Sequence, residues 1–250
     1  MIITIDIGNS NTVIVGYKDN KRVLEARIDT YKKDVIKNYT IKFKEIIKEI
    51  PEDIIVSCVV PMIKDQFIEI IELLYQKKPI MIDATSIDGL TIKLDNPNDI
   101  GADFIATSWG AIQKYQTPAI IADVGSATKL TVVDETGSFL GGAIIPGIGT
   151  SMRAFAEYIP HLPEVALEFP KTVIGSGTID AIQSGALYGL VSQIEGLAMR
   201  MEKELGTSCT KIITGGYASI IHGATESFIY DEFLLNDGLY EIYQKGAFKR

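Results

Sequence analysis

The chain opens with two apolar runs on either side of a short polar turn. In "IITIDIGNSNTVIV", residues 2 to 15, Ile, Val and Thr flank Asp6 and Gly8. Runs of β-branched residues bounded by turn residues are typical of strands. The pattern therefore predicts a strand that ends near a carboxylate, followed by a second and a third strand. The three predicted strands cover residues 2–7, 11–17 and 22–29.

Along the rest of the chain, segments whose apolar residues have helical spacing alternate with segments that have the pattern of strands. Apolar residues at helical spacing, such as Ile36, Phe43 and Ile47, predict helices, and Pro61 suits a first helical turn. The predicted helices cover about residues 32–50, 61–76, 101–115, 149–158 and 178–205. Further strands are predicted at 53–59, at 79–83, three times within 117–147 and at 211–214, with short alternating elements after them.

The opening pattern occurs a second time. "AIIADVGSATKLTVV", residues 119 to 133, aligns with the first segment as strand, turn and strand. Such self-similarity indicates one structural unit present twice. We therefore expect an α/β protein of two domains, residues 1–115 and 116–250, with the boundary inferred from the repeat alone. The alignment places Asp6 on Asp123, Gly8 on Gly125, Asn9 on Ser126 and Asn11 on Thr128.

Composition excludes several classes of protein. The chain has 250 residues, 46% of them hydrophobic, and a formal charge of −8, which argues against a nucleic-acid or anionic-membrane partner. The two cysteines, Cys58 and Cys209, lie in apolar strand-like runs and suggest buried free thiols in a reducing compartment. Asp6 interrupts the first apolar run, and no other run has the length of a membrane span. We expect a cytoplasmic protein.

The repeated turn has the composition of a phosphate-binding loop. Asp6 and Asp123 each end a strand, the glycine after each permits a tight turn with outward N–H groups, and small polar residues leave room for phosphate. Two such turns facing each other would hold a nucleotide, with both aspartates on a hydrated Mg²⁺. The alternative is a plain hairpin turn, where Asp-x-Gly is common. The candidate nucleotide-binding residues are Asp6, Gly8, Asn9, Ser10 and Asn11 in the first turn and Asp123, Gly125, Ser126, Ala127 and Thr128 in the second.

A third glycine segment follows late in the chain. "KIITGGYAS", residues 211 to 219, predicts a strand, the pair Gly215-Gly216 and a helix, a geometry that lets backbone approach a flat ligand or a phosphate. The alternative is an ordinary βα turn without a ligand. In order, the three segments resemble the actin, hexokinase and Hsp70 ATPase superfamily. That resemblance implies two RNase H-like domains around a central nucleotide cleft, with the Gly-Gly segment at the adenosine.

Within this superfamily the chain is similar to the type III pantothenate kinases. The resemblance implies an ATP- and Mg²⁺-dependent homodimeric kinase that phosphorylates pantothenate at the first step of coenzyme A biosynthesis. The segments that carry it are "DIGNSNT" at 6–12, "NPNDIGAD" at 96–103, "DVGSAT" at 123–128, "GGAIIPG" at 141–147, "LPEVALEFP" at 162–170, "IGSGTIDAIQSGALYG" at 174–189 and "TGGYA" at 214–218.

The resemblance also assigns substrate-site residues. Asp103 matches the general base that takes the proton of the substrate hydroxyl, with Gly101 and Ala102 beside it in the acceptor site, and Thr178 matches a residue that enters the neighbouring subunit's pocket. The alternative for Asp103 is an aspartate that serves the first turn of a helix. The apolar residues of the helix from 178 to 205 favour burial by a second subunit, and the alternative is core packing.

Three substrate-site positions depart from the family pattern. Phe104 replaces an arginine that reaches the acid substrate, Leu94 replaces a tyrosine, and Gly177 replaces an asparagine. Arg153 or His161 could supply the missing charge, and the alternative, which residues of these types favour, is a surface or capping position. Two further functions therefore stay open: a kinase-like nucleotide-binding protein with a degenerated pocket and a regulatory role, and a phosphatase that uses water.

The cation site departs as well. The family has an aspartate that helps to hold a monovalent cation where this chain has Thr131, and Lys129 has arrived two residues before it. We expect the Lys129 ammonium to replace K⁺. The alternative is that strand alternation points Lys129 into solvent.

Overall fold

The computed structural model describes residues 1–249, which form two compact units. Unit 1 comprises Met1–Lys114 and the segment from Leu234 onward, and unit 2 comprises Tyr115–Phe233. The break near residue 115 coincides with the predicted one. The segment from Leu234 onward, which the sequence analysis places in the second domain, belongs instead to unit 1.

Unit 1 contains a mixed five-stranded sheet in the order β3-β2-β1-β4-β5 within the described residues. The first three strands are antiparallel neighbours, and β4 and β5 run parallel to β1. The elements are β1 (Ile2–Ile7), β2 (Asn11–Lys18), β3 (Lys21–Asp29), α1 (Val35–Ile46), β4 (Asp53–Cys58), α2 (Lys64–Tyr75), β5 (Ile80–Ile82) and α3 (Ala102–Lys114).

Aromatic side chains of α1 and α2 fill the core of unit 1. The rings of Tyr39, Phe43 and Phe67 are fully buried, and both tyrosine and phenylalanine of α1 meet the Phe67 ring edge to face. The helix predicted over 32–50 is shorter at both ends. Asp34 has a left-handed backbone with φ of 48°, and Ile47 is extended, so neither residue continues the helix.

Unit 2 repeats this topology. Its sheet has the order β10-β9-β6-β7-β8, with the same directions, which confirms the internal repeat. Within the described part of the chain its elements are β6 (Ala119–Val124), β7 (Ala127–Val133), β8 (Phe139–Pro146), α4 (Ile148–Tyr158), α5 (Thr178–Leu205), β9 (Thr210–Thr214), α6 (Ala218–Ile221) and β10 (Ile229–Tyr230).

The strand register corrects one detail of the repeat. Thr12 lies opposite Ile7, and Thr128 lies opposite Val124, so these two threonines are the equivalent residues. The predicted alignment of Asn11 with Thr128 is wrong by one position. The first turn is one residue longer than the second, and sequence alone did not show where to place that gap.

The chain ends in a helix, α7 (Leu234–Lys245), where only short elements were predicted. Asn236, Asp237 and Gly238 are poor helix formers and obscure the signal. Gly238 is required by packing, because a Cβ there would overlap the Ala106 carbonyl oxygen of α3. This close contact, together with buried Leu239, holds α7 in unit 1 and explains the corrected domain boundary.

Two expectations from composition can be compared with the structure. Among residues 1–249, no helix combines the length and apolar character that crossing a bilayer would need. Cys58 and Cys209 are unpaired thiols, but both are half-buried rather than buried. Partial burial raises the pKa of each thiol above its ordinary value, so both are poor nucleophiles near neutral pH.

Candidate functional site

The first candidate turn joins β1 to β2 and is fixed by the end of β3. The Gly8 N–H donates to the Asn11 carbonyl at 3.0 Å, and the Thr30 hydroxyl donates to the Gly8 carbonyl at 2.7 Å. Asn9 and Ser10 are exposed at its tip. These bonds hold a rigid loop with polar side chains outward, as a phosphate-binding turn requires.

The first carboxylate lies where β1 ends. Asp6 is half-buried, and its Oδ1 accepts a hydrogen bond of 3.1 Å from the Ser57 hydroxyl on β4. Val13 lies opposite Asp6 in the register of β1 and β2. The donor of this hydrogen bond carries no charge.

The second candidate turn joins β6 to β7 and lies against the start of α4. The Gly125 N–H donates to the Ala127 carbonyl at 3.1 Å, and Gly147 N–H and the Thr150 hydroxyl both donate to the Ser126 carbonyl, at 3.2 and 2.8 Å. A Cβ on Gly147 would overlap the carbonyl oxygen of Gly125. The turn therefore lies next to the N-terminal end of a helix, which favours anions.

The third glycine segment contacts this second turn. Gly215 has φ of +97°, and a Cβ there would overlap Oδ1 of Asp123 and lie 2.6 Å from the Val124 nitrogen. The Tyr217 N–H donates to the Val124 carbonyl at 2.9 Å. The structure thus brings the sequence-predicted Gly215 and Asp123 together, with Gly216 exposed beside them.

One buried hydroxyl group beside the second turn could donate a hydrogen bond to a bound anion. Thr128 is fully buried, and within residues 1–249 its Oγ1 has no hydrogen-bond partner. The equivalent Thr12 hydroxyl hydrogen-bonds with the Tyr39 hydroxyl at 2.6 Å. Buried hydroxyl groups are normally satisfied. The turn packs against two positions where only glycine fits, Gly147 and Gly215. An orphaned donor in this setting fits the phosphate of a nucleotide.

Lys129 forms an ion pair with the second carboxylate. Its Nζ lies 2.7 Å from Oδ2 of Asp123, and the two side chains are 15% and 16% exposed. The two residues are cross-strand partners in β6 and β7. The alternative that Lys129 points into solvent is therefore wrong.

Asp103 lies in the first turn of α3, as its sequence predicts. It is 8% exposed, and its Oδ1 accepts a hydrogen bond of 2.9 Å from the Phe104 N–H. A Cβ on Gly101 would lie 2.6 Å from the same oxygen. The carboxylate serves the helix start, and this contact is compatible with the base role as well. Phe104 is half-buried beside it.

An apolar cavity of about 630 Å³ lies between α4 and α5. The cavity is lined by Met152, Phe155 and Ile182 and by Thr178, which is the exposed first residue of α5. Sequence reasoning missed this cavity, because it is a space between two helices and leaves no motif in the sequence.

The two candidate charge donors lie on the surface. Arg153 is exposed, and its guanidinium donates to the Thr150 hydroxyl at 3.3 Å. His161 is exposed as well. The interpretation of both as surface residues agrees with these positions.

The residues that could hold a metal ion are single carboxylates. Within residues 1–249, no group of three or more His, Cys, Asp or Glu lies close enough together to bind a metal ion alone. Mg²⁺ commonly uses one or two carboxylates and completes its shell with water and phosphate oxygens. Asp6 in unit 1 and Asp123 in unit 2 are each a single carboxylate of the kind that this mode uses.

Two sheets of this order, each with a glycine turn after its first strand, define the fold of the actin-like ATPases. The structure is similar to component A of (R)-2-hydroxyglutaryl-CoA dehydratase from Acidaminococcus fermentans, with a TM-score of 0.60 and 15% identity over 99% of this chain and 100% of that one. It is also similar to MreB 5 of Spiroplasma citri bound to AMPPNP, with a TM-score of 0.56 and 11% identity over 98% and 96% of the two chains.

Sequence comparison defines the family. The family model for type III pantothenate kinase matches residues 2–200. A type III pantothenate kinase from Roseiflexus sp. (strain RS-1) is 36% identical over 252 residues, which cover 98% of each chain. The chain therefore belongs to the type III pantothenate kinase family, a family of phosphotransferases that act on an alcohol group.

Proposed function

We propose that this protein is an ATP-dependent kinase that phosphorylates pantothenate, the first step of coenzyme A biosynthesis. The observation that carries the proposal is the second turn, where a buried hydroxyl without a partner lies beside two glycine positions that no larger residue could fill. Pantothenate is named as the substrate because the chain belongs to the type III pantothenate kinase family. No observation on residues 1–249 favours the regulatory or phosphatase alternatives.

The two turns provide the nucleotide contacts. N–H groups of Asn9, Ser10 and Asn11 in one turn and of Ser126 and Ala127 in the other donate to phosphate oxygens, and the Thr128 hydroxyl gains its missing partner. Gly8 and Gly125 hold the shape of the turns, because their N–H groups donate to the Asn11 and Ala127 carbonyls. Gly215 and Gly216 lie against the adenosine. Bound ATP with Mg²⁺ supplies the γ-phosphoryl group and offsets its charge. Asp6 and Asp123 hold the metal through their carboxylates.

The acceptor is activated by Asp103. Its carboxylate takes the proton of the pantothenate hydroxyl while that oxygen attacks the γ-phosphorus of ATP. The bond from this phosphorus to the β,γ-bridging oxygen breaks, and ADP leaves. One base is sufficient for a reaction that needs mainly positioning and charge neutralisation. Gly101 and Ala102 let the acceptor approach Asp103. The exposed Thr178 contacts the acceptor in a neighbouring copy of the chain, which makes the working form a homodimer.

Positive charge at the second turn comes from Lys129. Its ammonium pairs with the Asp123 carboxylate when no nucleotide is bound and lies close enough to the second turn to neutralise phosphate oxygens, so the protein needs no K⁺ there. The setting of this activity is the cytoplasm, where coenzyme A is made and thiols such as Cys58 stay reduced.

A coupled ADP-release assay tests the proposal. With ATP and Mg²⁺, we expect ADP release that depends on added pantothenate and a phosphorylated product visible by ³¹P NMR. Release of phosphate without an acceptor would indicate the phosphatase instead. Calorimetric binding of ATP–Mg²⁺ without any turnover would support the regulatory alternative and contradict the kinase.

A further inference from the structure

The ion pair at the second turn places a cation where a metal ion would otherwise bind. The Lys129 ammonium lies 2.7 Å from the Asp123 carboxylate, and about five sixths of each side chain is shielded from water. A divalent ion that approached this carboxylate would meet a like charge a few ångströms away, and such repulsion is strong in a partly buried setting. Lys129 and a metal ion therefore compete for Asp123.

The first turn has no such competition from its opposite strand. The residue opposite Asp6 is Val13, and the Ser57 hydroxyl donates to the carboxylate. A hydroxyl donor carries no net charge, so the bond from Ser57 adds no positive charge that would compete with a metal ion. The residue opposite the aspartate is thus valine in the first unit and lysine in the second.

Lysine is suited to change its partner. It has a flexible four-carbon stem and three donors that can turn toward a new anion. The Gly125–Ser126 turn follows Asp123 directly, and the N-terminal end of α4 lies against it. Nucleotide phosphates bound there would be a second anion next to the Lys129 ammonium, with more negative charge than a single carboxylate.

We propose that Lys129 couples metal binding to nucleotide binding by exchanging partners. Without nucleotide its ammonium neutralises Asp123 and keeps divalent metal ions off this carboxylate. With nucleotide it moves to the phosphate oxygens, and Asp123 becomes available to the metal ion. The inference rests on the proposed function only in that it requires a nucleotide at the second turn, and it does not require phosphoryl transfer.

Binding of Mn²⁺, followed by its EPR signal, tests the exchange in the full-length protein. In the unmodified protein we expect ADP to tighten Mn²⁺ binding roughly 5- to 150-fold, the usual range for coupled sites. In Lys129→Met we expect Mn²⁺ to bind about tenfold more tightly without ADP, because the competing charge is gone. We expect ADP to tighten Mn²⁺ binding less in this variant than in the unmodified protein, because only the contribution of the phosphate oxygens remains. In the double variant Asp123→Asn with Lys129→Met, the gain in Mn²⁺ affinity seen for Lys129→Met alone should disappear.

Two matched variants control for charge and folding. Lys211→Met removes a lysine from the similarly shielded Lys211–Glu202 pair of the same unit, where N and O lie 3.0 Å apart, and should leave Mn²⁺ binding unchanged. Lys129→Arg keeps the charge and should bind Mn²⁺ without ADP as weakly as the unmodified protein. Thermal unfolding checks that each variant is folded, and Lys129→Gln replaces Lys129→Met if the latter is not.

The outcomes separate this inference from the proposed function. Equal Mn²⁺ affinity in Lys129→Met and the unmodified protein, or an equal gain in Lys211→Met, would overturn the exchange. Absence of an ADP effect on Mn²⁺ binding in the unmodified protein would overturn it too. Normal coupling in a protein that never phosphorylates pantothenate would support the exchange while the proposed function fails.

Discussion

Lys129 is the residue whose role the structure changes most. Sequence left two possibilities open, replacement of a cation or exposure to solvent, and the ion pair with Asp123 removes the second. The burial of an ammonium beside a carboxylate depends on the register of β6 and β7, and a single sequence does not define which neighbour a strand residue faces.

The position of Lys129 predicts an enzyme that is indifferent to monovalent cations. Because the ammonium has the charge of K⁺ and offers three donors, we expect equal rates in K⁺, Na⁺ and tetramethylammonium at matched ionic strength. Lys129→Ala should lose activity. The loss should either persist or be reversed when K⁺ or NH₄⁺ is added. Strong activation of the unmodified protein by K⁺ would contradict this role.

Asp103 allows a second prediction at the residue scale. If its carboxylate is the base, Asp103→Asn keeps ATP affinity and lowers kcat on the order of 10²–10⁴-fold, because only a transition-state interaction is lost. Steady-state kinetics with calorimetric ATP binding measures both quantities. Asp65→Asn is the control, since Asp65 holds the same second position in α2. Near-normal kcat in Asp103→Asn would leave this residue with the helix-start role alone.

At the element scale, the strand-turn-strand segments were predictable and the last helix was not. The β1–β2 and β6–β7 segments have β-branched runs around Asp-x-Gly, so local sequence defines both strands and turn. Helix α7 carries Gly238 and two other weak helix formers, and its stability comes from packing on α3. Tertiary packing of this kind overrides propensity and is not visible in a local window.

The close contact of α3 and α7 gives a prediction about stability. In Gly238→Ala the new methyl group would overlap the Ala106 carbonyl oxygen, so the helices must separate, and we expect a loss of about 1–3 kcal/mol in the free energy of unfolding. Gly189→Ala in α5 is the control, because nothing lies within 4 Å of a Cβ there, and it should stabilise by about 0.5–1 kcal/mol. Urea unfolding of both variants measures the difference. Equal stabilisation by both would contradict the close packing.

At the scale of the whole molecule, the repeat predicted two α/β units but not their composition. Each unit needs its own five-stranded sheet, and the aligned segments supply the first two strands of each. The return of the chain to unit 1 at Leu234 depends on contacts between residues far apart in sequence. The apolar cavity at α4 and α5 was likewise unpredictable, because it is a space between two helices rather than a motif.

The apolar residues of helix α5 have two possible explanations, packing in the core of unit 2 and burial by a second subunit. Leu187, Leu190 and Ile194 are buried in the core of unit 2, so core packing accounts for most of them. Ile179 and Met199 are 53% and 61% exposed, and Thr178 begins the helix beside the cavity. Single exposed apolar residues are common on protein surfaces, so the homodimer stays a prediction.

Subunit mixing tests whether Thr178 acts in the neighbouring subunit. We expect a dimeric mass by light scattering at micromolar concentration, and low activity for both Asp103→Asn and Thr178→Val alone. If Thr178 serves the partner's acceptor site, a mixed dimer of the two variants has one site with both residues intact. With random pairing in a twofold-symmetric dimer, activity then rises to about a quarter of the unmodified level. No rise on mixing, after exchange of subunits is verified by mass, would assign Thr178 to its own subunit, and a monomeric mass with full activity would refute the dimer.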